Sequence, residues 1–441
     1  MKLLARSGFS CDEDWTLYNR IAMRLLPFLI LLYVISFIDR INIGFARLRM
    51  ASDIGLSDAA YGFGAGIFFL AYCLCEVPSN LILARVGARV WIARIMVIWG
   101  IVSAAMVFVH SPLSFYIMRT LLGAAEAGFF PGVILYLTYW FPNRQRAQAV
   151  SLFLLGIALA GVLGGPLSGW IMRQFDGHAG LHGWQWLFVL EGAPAIVAGI
   201  ATLFVLHDGP AGARWLAPAE RERVVATLAK ERAARDARGH THKLGDALRN
   251  GDVWRLSFIN FTQIGGIYGL AFWLPQIVHD LGIKDLVQTG LVSAVPFSFA
   301  AIGTVIVGRH SDSSGERRWH IAGPALIGAF GLALAAECAA NPIASLAGLT
   351  LAAFGLISAN AVLFTLPGAW LSGTAAAAGI GLISTIGNIG GYVFPFTIGW
   401  IRELTHQPAW CLLVLAAVSL LGAILMLSLP AAAPVRNTAL G

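Results

Sequence analysis

The sequence predicts an all-α membrane protein of twelve transmembrane helices, arranged as two six-helix bundles with both termini in the cytoplasm. Three observations lead there. The 441 residues are 58% hydrophobic and only 12% charged, with a mean hydropathy of +0.74, whereas ordinary soluble domains are about a quarter charged. Apolar runs recur from end to end, each close to the ~20 residues that cross a hydrocarbon core about 30 Å thick. One long polar segment, 207–252, separates six such runs from six.

Taken in order, the chain opens on residues 1–19, which carry Asp12, Glu13 and Asp14 and lack the apolar core and small-residue cleavage site of a secretory signal. The first span is therefore expected to stay attached. The first six spans are predicted at 21–43, 59–83, 90–109, 113–140, 147–172 and 186–206, and the second six at 253–278, 289–307, 321–339, 343–366, 375–400 and 409–429. Forty-nine glycines suit close helix packing where lipid supplies no hydrophobic drive between helices.

Charge sets the orientation. Arg85, Arg89 and Arg94 flank the second loop, Arg144 and Arg146 the fourth, and Arg309, Arg317 and Arg318 the eighth. Odd-numbered loops carry less or balanced charge, as with Asp280, Lys284 and Asp285, or Arg402 with Glu403. The positive-inside rule places the even loops and both termini in the cytoplasm. The net charge of +7 is thus spread over alternate loops, not gathered on one face, which argues against a nucleic-acid partner. Within the linker, Pro218 opens a stretch with Val224, Val225, Leu228 and Ala229 among Arg and Glu, the pattern of an amphipathic helix at the membrane surface or of a solvated helix joining two halves. The domain division expected is 1–206, 207–252 and 253–441, two bundles facing each other across a central cavity.

Five scattered cysteines (Cys11, Cys73, Cys75, Cys338, Cys411) offer no paired spacing for a disulfide framework or zinc site, so no metal and no cofactor is expected. The sequence has no His-Glu-x-x-His helix and no Gly-x-Ser-x-Gly elbow, which leaves an intramembrane enzyme unsupported. Gly62, Gly64 and Gly66 lie within a span and read as helix packing rather than a phosphate loop. Gly161, Gly165, Pro166 and Gly169 read as close packing with a proline bend, with an antiporter-type glycine pattern as the alternative.

The chemistry lies in charges inside spans. An apolar run begun at Leu25 continues to Ile38 and then sets Asp39 beside Arg40. Each charge at bilayer depth costs roughly 2.5 to 3.5 kcal/mol on insertion scales, so such residues face partners, water or cargo. Arg119 and Glu126 are seven residues apart in the fourth span, which puts both on one face about 10 Å apart. A partner from another helix, or an anion, fits between them. Tyr33, Ser36 and Arg40 share a stripe of the first span that supplies such a partner. The two arginines and two carboxylates sum to zero, so an entering anion favours uptake of a proton: a guanidinium cannot release one, and a desolvated carboxylate can accept one. The bland alternative is a permanent brace between helices.

Several strings are more specific than pattern: Phe37-Ile38-Asp39-Arg40-Ile41-Asn42-Ile43-Gly44, Glu76-Val77-Pro78-Ser79-Asn80-Leu81 running into Gly87-Ala88-Arg89, Arg119-Thr120-Leu121-Leu122-Gly123-Ala124-Ala125-Glu126-Ala127-Gly128-Phe129-Phe130-Pro131-Gly132, Tyr139-Trp140-Phe141-Pro142, Gly165-Pro166-Leu167-Ser168-Gly169 and Trp186-Leu187-Phe188-Val189-Leu190-Glu191-Gly192. In these the chain resembles the major facilitator superfamily, and within it the anion:cation symporter family of bacterial tartrate, galactonate, glucarate and phthalate permeases. The resemblance implies a monomeric, proton-coupled symporter that imports a small organic anion across the inner membrane by alternating access. A sugar acid, a hydroxy diacid and an aromatic carboxylate all fit. An exchanger or drug efflux antiporter of the same fold is the alternative.

The resemblance assigns proton coupling to Asp39 and Glu126, and to Arg40 and Arg119 either anion binding or the pairing of the carboxylate that senses the anion, and it favours Tyr72 as a substrate contact. Tyr33, Ser36, Gln263 and Asn388 are further substrate-binding candidates, and Asn260, Tyr268, Trp273, Asn360, Trp370 and Tyr392 are weaker ones. Arg85, Arg89, Asp312 and Arg317 are expected to form the conformational gate. The second-loop motif departs from the superfamily's pattern, with Asn80 and Ala84 where Gly and Asp are usual, which shifts the gate's weight to Asp312.

Overall fold

A computed structural model describes residues 12–237, 251–363 and 373–429, with Leu3 and Leu366. Cys11, Trp370 and the 238–250 part of the linker lie outside the described residues. The first half comprises α1 (Asp12–Asp53), α2 (Asp58–Val86), α3 (Ala88–Ala104), α4 (Pro112–Glu126), α5 (Phe129–Thr138), α6 (Asn143–Gln174) and α7 (Gly183–Val205). The linker carries α8 (Pro218–Ala237), and then follow α9 (Gly251–Asp280), α10 (Leu286–Ser314), α11 (Arg318–Glu337), α12 (Pro342–Leu363), α13 (Gly373–Thr405) and α14 (Pro408–Ser428).

Among the described residues ten helical segments are long and apolar enough to cross a membrane. The 30-residue α9 is not one of them, because Ser257, Asn260, Thr262 and Gln263 interrupt its apolar sequence, and all four are buried. Polar groups in a membrane helix are tolerated where they face the bundle rather than lipid.

The predicted fourth span is two helices, not one. α4 ends at Glu126, Gly128 takes a left-handed conformation (φ 88°), and α5 starts at Phe129. A Cβ on Gly128 would come within 2.3 Å of the Ser79 hydroxyl, and any L side chain would be strained at that φ, so glycine alone allows the break. The break sets Glu126 at a helix end, beside the centre of the molecule.

In the first half α1 packs on α6 and α7, α2 on α4, and α3 on α7. In the second, α9 packs on α13 and α14, α10 on α12, and α11 on α12 and α14. The two sets meet along three seams, α2 with α13, α6 with α10, and α1 with α9. Glycine makes these seams tight: a Cβ on Gly62 would lie 2.4 Å from the Pro395 carbonyl oxygen, and one on Gly165 would lie 2.6 Å from that of Gly290. Gly62, Gly66, Gly165 and Gly169 thus meet backbone across the seams, whereas Gly64 and Gly161 make room for the rings of Phe115 and Phe297.

The linker helix α8 is seated on protein rather than on lipid alone. Arg20 pairs with Glu220, and Arg223 pairs with Glu13 at 3.1 Å and Asp14 at 2.9 Å. Trp215 stacks on Trp140 with the Arg24 guanidinium over its face, and Val224 is fully buried while Val225 is exposed. Slight burial pushes the Glu220 carboxyl up, but the Ala217 N–H and Arg20 outweigh it and hold the group below the ordinary carboxylate range. A carboxylate lowered in the folded state stabilises it above the unfolded value of about 4.3 and loses that contribution as pH falls through the folded value. Glu220→Gln is therefore expected to loosen α8 at pH 7 by under ~1 kcal/mol, as for an exposed pair. Faster amide exchange confined to α8 would register it, with the difference from the parent protein closing in acid.

Candidate functional site

Between the two halves lies a cavity walled by Tyr33, Phe37 and Arg40 of α1, Phe69 and Tyr72 of α2, Phe130 of α5, and Leu154, Ile157 and Ala158 of α6. The other half supplies Ile264, Ile267 and Tyr268 of α9, Thr304 of α10, Ile357, Asn360 and Ala361 of α12, and Ser384 and Asn388 of α13. Among the described residues Arg40 is the one charged side chain on this wall.

Arg40 donates through Nη2 to Glu126 in a buried ion pair and through Nη1 to the Tyr268 hydroxyl at 2.8 Å. The rings of Phe68, Tyr72 and Tyr268 surround its guanidinium at 5.3–5.9 Å. Glu126 also accepts from the Ser36 hydroxyl at 2.7 Å, and its second oxygen is buried without a partner. The arrangement joins three predicted residues of the first half to one side chain of the second.

The other two charges part from this pair. Asp39 turns to α3, accepting from Trp99 Nε1 at 2.6 Å and from the Ser103 hydroxyl. Arg119, fully buried, gives its hydrogen bonds to the α2 carbonyls of Gly64 (3.4 Å) and Ala65 (3.2 Å). Of the four charges, the Arg40–Glu126 pair thus stands at the cavity and Asp39 and Arg119 lie behind it. Helix geometry explains Asp39: adjacent residues point about 100° apart, so Arg40 and Asp39 cannot both face the cavity. Packing explains Arg119, which is tied to the α2 carbonyls, with the Phe68 ring near both it and Arg40.

Of the remaining candidates, Tyr33, Tyr72 and Asn388 line the cavity, and Tyr33 stacks on Phe153 with centroids 4.4 Å apart. Ser36 serves Glu126 rather than the cavity surface. Gln263 is buried, does not line the cavity, and neither end of its amide has a partner.

The four expected gate residues are not brought together. Asp312 pairs with Arg317 at 2.6 Å within one segment, the Arg89 backbone N–H donates to Asp208 at 2.9 Å, and Arg85 is exposed. The halves are instead clamped at the opposite, odd-loop end. Asp58 of α2 accepts from Arg47 of α1 and from Arg402 of α13 at 2.8 Å. Arg402 also reaches Asp280 of α9 at 2.7 Å, and Arg47 reaches Gln276. Glu403 accepts from Ser57 and the Ala59 N–H at 2.7 and 2.8 Å, and the Trp273 ring lies under both arginines. Charges near loops are ordinary in a membrane sequence, so nothing in the letters marked this clamp.

Two buried carboxylates were visible in the sequence only as parts of longer strings. Glu191 accepts from Ser168 at 2.8 Å and is hydrogen-bonded to Asn42, bracing α7, α6 and α1. Glu76 of α2 is hydrogen-bonded across a seam to Asn388. The overlooked signal was an acid inside an apolar run, the same one that singled out Asp39.

Comparison with known proteins agrees with this construction. Residues 29–367 match the sequence profile of the Major Facilitator Superfamily. The chain is 46% identical over 423 residues, 96% of each chain, to a protein of Agrobacterium vitis named provisionally as a tartrate transporter. It is 42% identical to the quinolone resistance transporter of Acinetobacter baumannii over 94% of this chain and 95% of that one, and 42% identical to the inner membrane transport protein RhmT of Escherichia coli K12 over 93% and 94%. In fold it is similar to the partially occluded inward open xylose transporter XylE of E. coli, with a TM-score of 0.75 at 15% identity, covering 93% of this chain and 98% of that one. The chain is thus a multi-span protein of the inner membrane and a transporter rather than an enzyme. Its fold, its length and its sequence together make it a member of the major facilitator superfamily.

Proposed function

We propose that the protein is a proton-coupled symporter that imports an organic anion by alternating access, and that coupling is an exchange of partners on Arg40. The observation that carries this reading is the buried Arg40–Glu126 pair on the cavity wall. A substrate carboxylate takes the guanidinium, and Glu126, fully buried and left with one Ser36 hydroxyl, is neutralised by a proton. Anion and proton are then bound together, with no net charge added to the membrane interior. Asp39 is the second proton-accepting carboxylate, within electrostatic reach of Glu126 and Arg119, and Arg119 positions α4 rather than touching the anion.

The architecture that serves this is two bundles of six spans, 1–206 and 253–441, joined by 207–252, with both termini in the cytoplasm and the whole apparatus within one monomer. The odd-loop clamp then faces the periplasm and closes the cavity on that side. Asp312, Arg317, Arg85 and Arg89 belong to the cytoplasmic ends that meet when the halves rock the other way.

Proteoliposomes with an imposed proton gradient test the reading. The parent protein is expected to accumulate the anion. Glu126→Gln is expected to lose accumulation while still exchanging anion across the membrane. Full accumulation by Glu126→Gln overturns the coupling role. Export or exchange is a second reading, favoured by the relative named for quinolone resistance. It predicts no substrate-driven alkalinisation outside the cell, where symport does.

A further inference from the structure

Resting on the anion-transport reading above, the charge balance of the cavity narrows the substrate class. Arg40 supplies the one cation on the described wall, and Glu126 already balances it. Arg119 does not line the cavity; its Nε and Nη2 go to α2 carbonyls, and its Nη1 is buried without a partner. Residues 364–372, of which Leu366 alone is described, include no basic residue. A second substrate carboxylate therefore has no guanidinium or ammonium to meet.

Close to the wall, though not part of it, stands a carboxylate. Glu76 lies one helical turn along α2 from Tyr72 and is buried, with 7% relative exposure. It is within electrostatic reach of Arg40 but is not paired with it, and it is hydrogen-bonded to Asn388, itself a cavity residue. Its Oε2 is buried with no partner. The rest of the wall is mostly apolar or aromatic, with Phe37, Phe69 and Phe130 in front of Arg40. Such a surface suits a flat apolar body, and of its polar side chains Thr304, Asn360 and Tyr268 are already engaged, with the Ala300 carbonyl, Asn260 and Arg40.

We infer that Glu76 is a charge filter, and that the protein selects aromatic acids with a single carboxylate over dicarboxylates and polyhydroxy acids. Arg40 takes the carboxylate, the ring lies among the aromatic side chains, and Glu76 repels any second carboxylate carried on that ring.

The test is binding to the purified full-length protein of benzoate, phthalate, tartrate and gluconate at pH 7. The parent protein is expected to bind benzoate at least about tenfold more tightly than the other three, a difference of ~1.4 kcal/mol. Glu76→Gln keeps the hydrogen bond to Asn388 and is expected to raise phthalate affinity about tenfold with little change for benzoate. Asn388→Asp adds a negative charge at the same place and is expected to weaken phthalate further than benzoate. A parent protein that prefers phthalate, tartrate or gluconate overturns the inference and leaves the anion-transport reading standing. A Glu76→Gln protein that shifts benzoate and phthalate equally removes the filter role from Glu76. Binding of none of the four acids counts against the anion-transport reading itself.

Discussion

Arg40→Ala is expected to abolish anion binding, by about a hundredfold or more, and to destabilise the protein at the same time. The two losses have one cause. Removing one partner of a buried ion pair costs about 3–5 kcal/mol, because the other is left as an uncompensated charge in a dry site. The cost falls here because Glu126 is fully buried and keeps only the Ser36 hydroxyl. Arg40→Lys is expected to fall well short of rescue, since an ammonium cannot reproduce a planar fork that serves Glu126 and Tyr268 together. The double variant Arg40→Ala/Glu126→Gln removes both charges and is expected to recover most of the thermal stability without recovering binding. Melting and binding measured on the four proteins of this cycle separate the two effects. If Arg40→Ala melts with the parent protein, the pair carries no buried charge and the partner-exchange mechanism loses its footing.

Asp58→Asn is expected to open the odd-loop end. Asp58 is the shared acceptor of Arg47 and Arg402, and its loss leaves two arginines facing each other over the Trp273 ring at the meeting point of α1, α2, α9 and α13. Both guanidinium groups are largely buried, so the change exceeds that of an exposed pair. In a cysteine-free background, Phe69→Cys places a thiol on the cavity wall. Its labelling from the periplasm by a membrane-impermeant reagent is expected to rise at least about tenfold when Asp58→Asn is added, a shift of ~1.4 kcal/mol in the closed-to-open balance. Unchanged labelling would show that the glycine seams, and not the ion pairs, hold that end shut.

The all-helical membrane fold was legible because hydropathy is a property of composition over ~20 residues and survives local irregularity. The break at Gly128 was not legible, since glycine is common in membrane helices and its letter carries no φ. Charges inside spans flagged Asp39, Arg40, Arg119 and Glu126 correctly as buried. Their grouping was misread for a reason of scale. Seven-residue spacing gives a shared helix face but not what lies beside it, here the α2 carbonyls that hold Arg119 and the Phe68 ring near both arginines. Tyr268 joined the site through a contact 228 residues distant in sequence, which no local pattern reports. The clamp of Arg47, Asp58, Asp280 and Arg402 was hidden by its location, because loop-end charges are the expected background of any membrane protein.

The most direct test of partner exchange on Arg40 is a count of protons taken up when the anion binds. Purified protein in weakly buffered detergent solution at pH 7 is titrated with benzoate or whichever acid binds, while pH and bound anion are followed together. The parent protein is expected to take up about one proton per anion bound, and Glu126→Gln close to none while still binding. Anion binding to the parent protein without proton uptake, or uptake undiminished in Glu126→Gln, would contradict it.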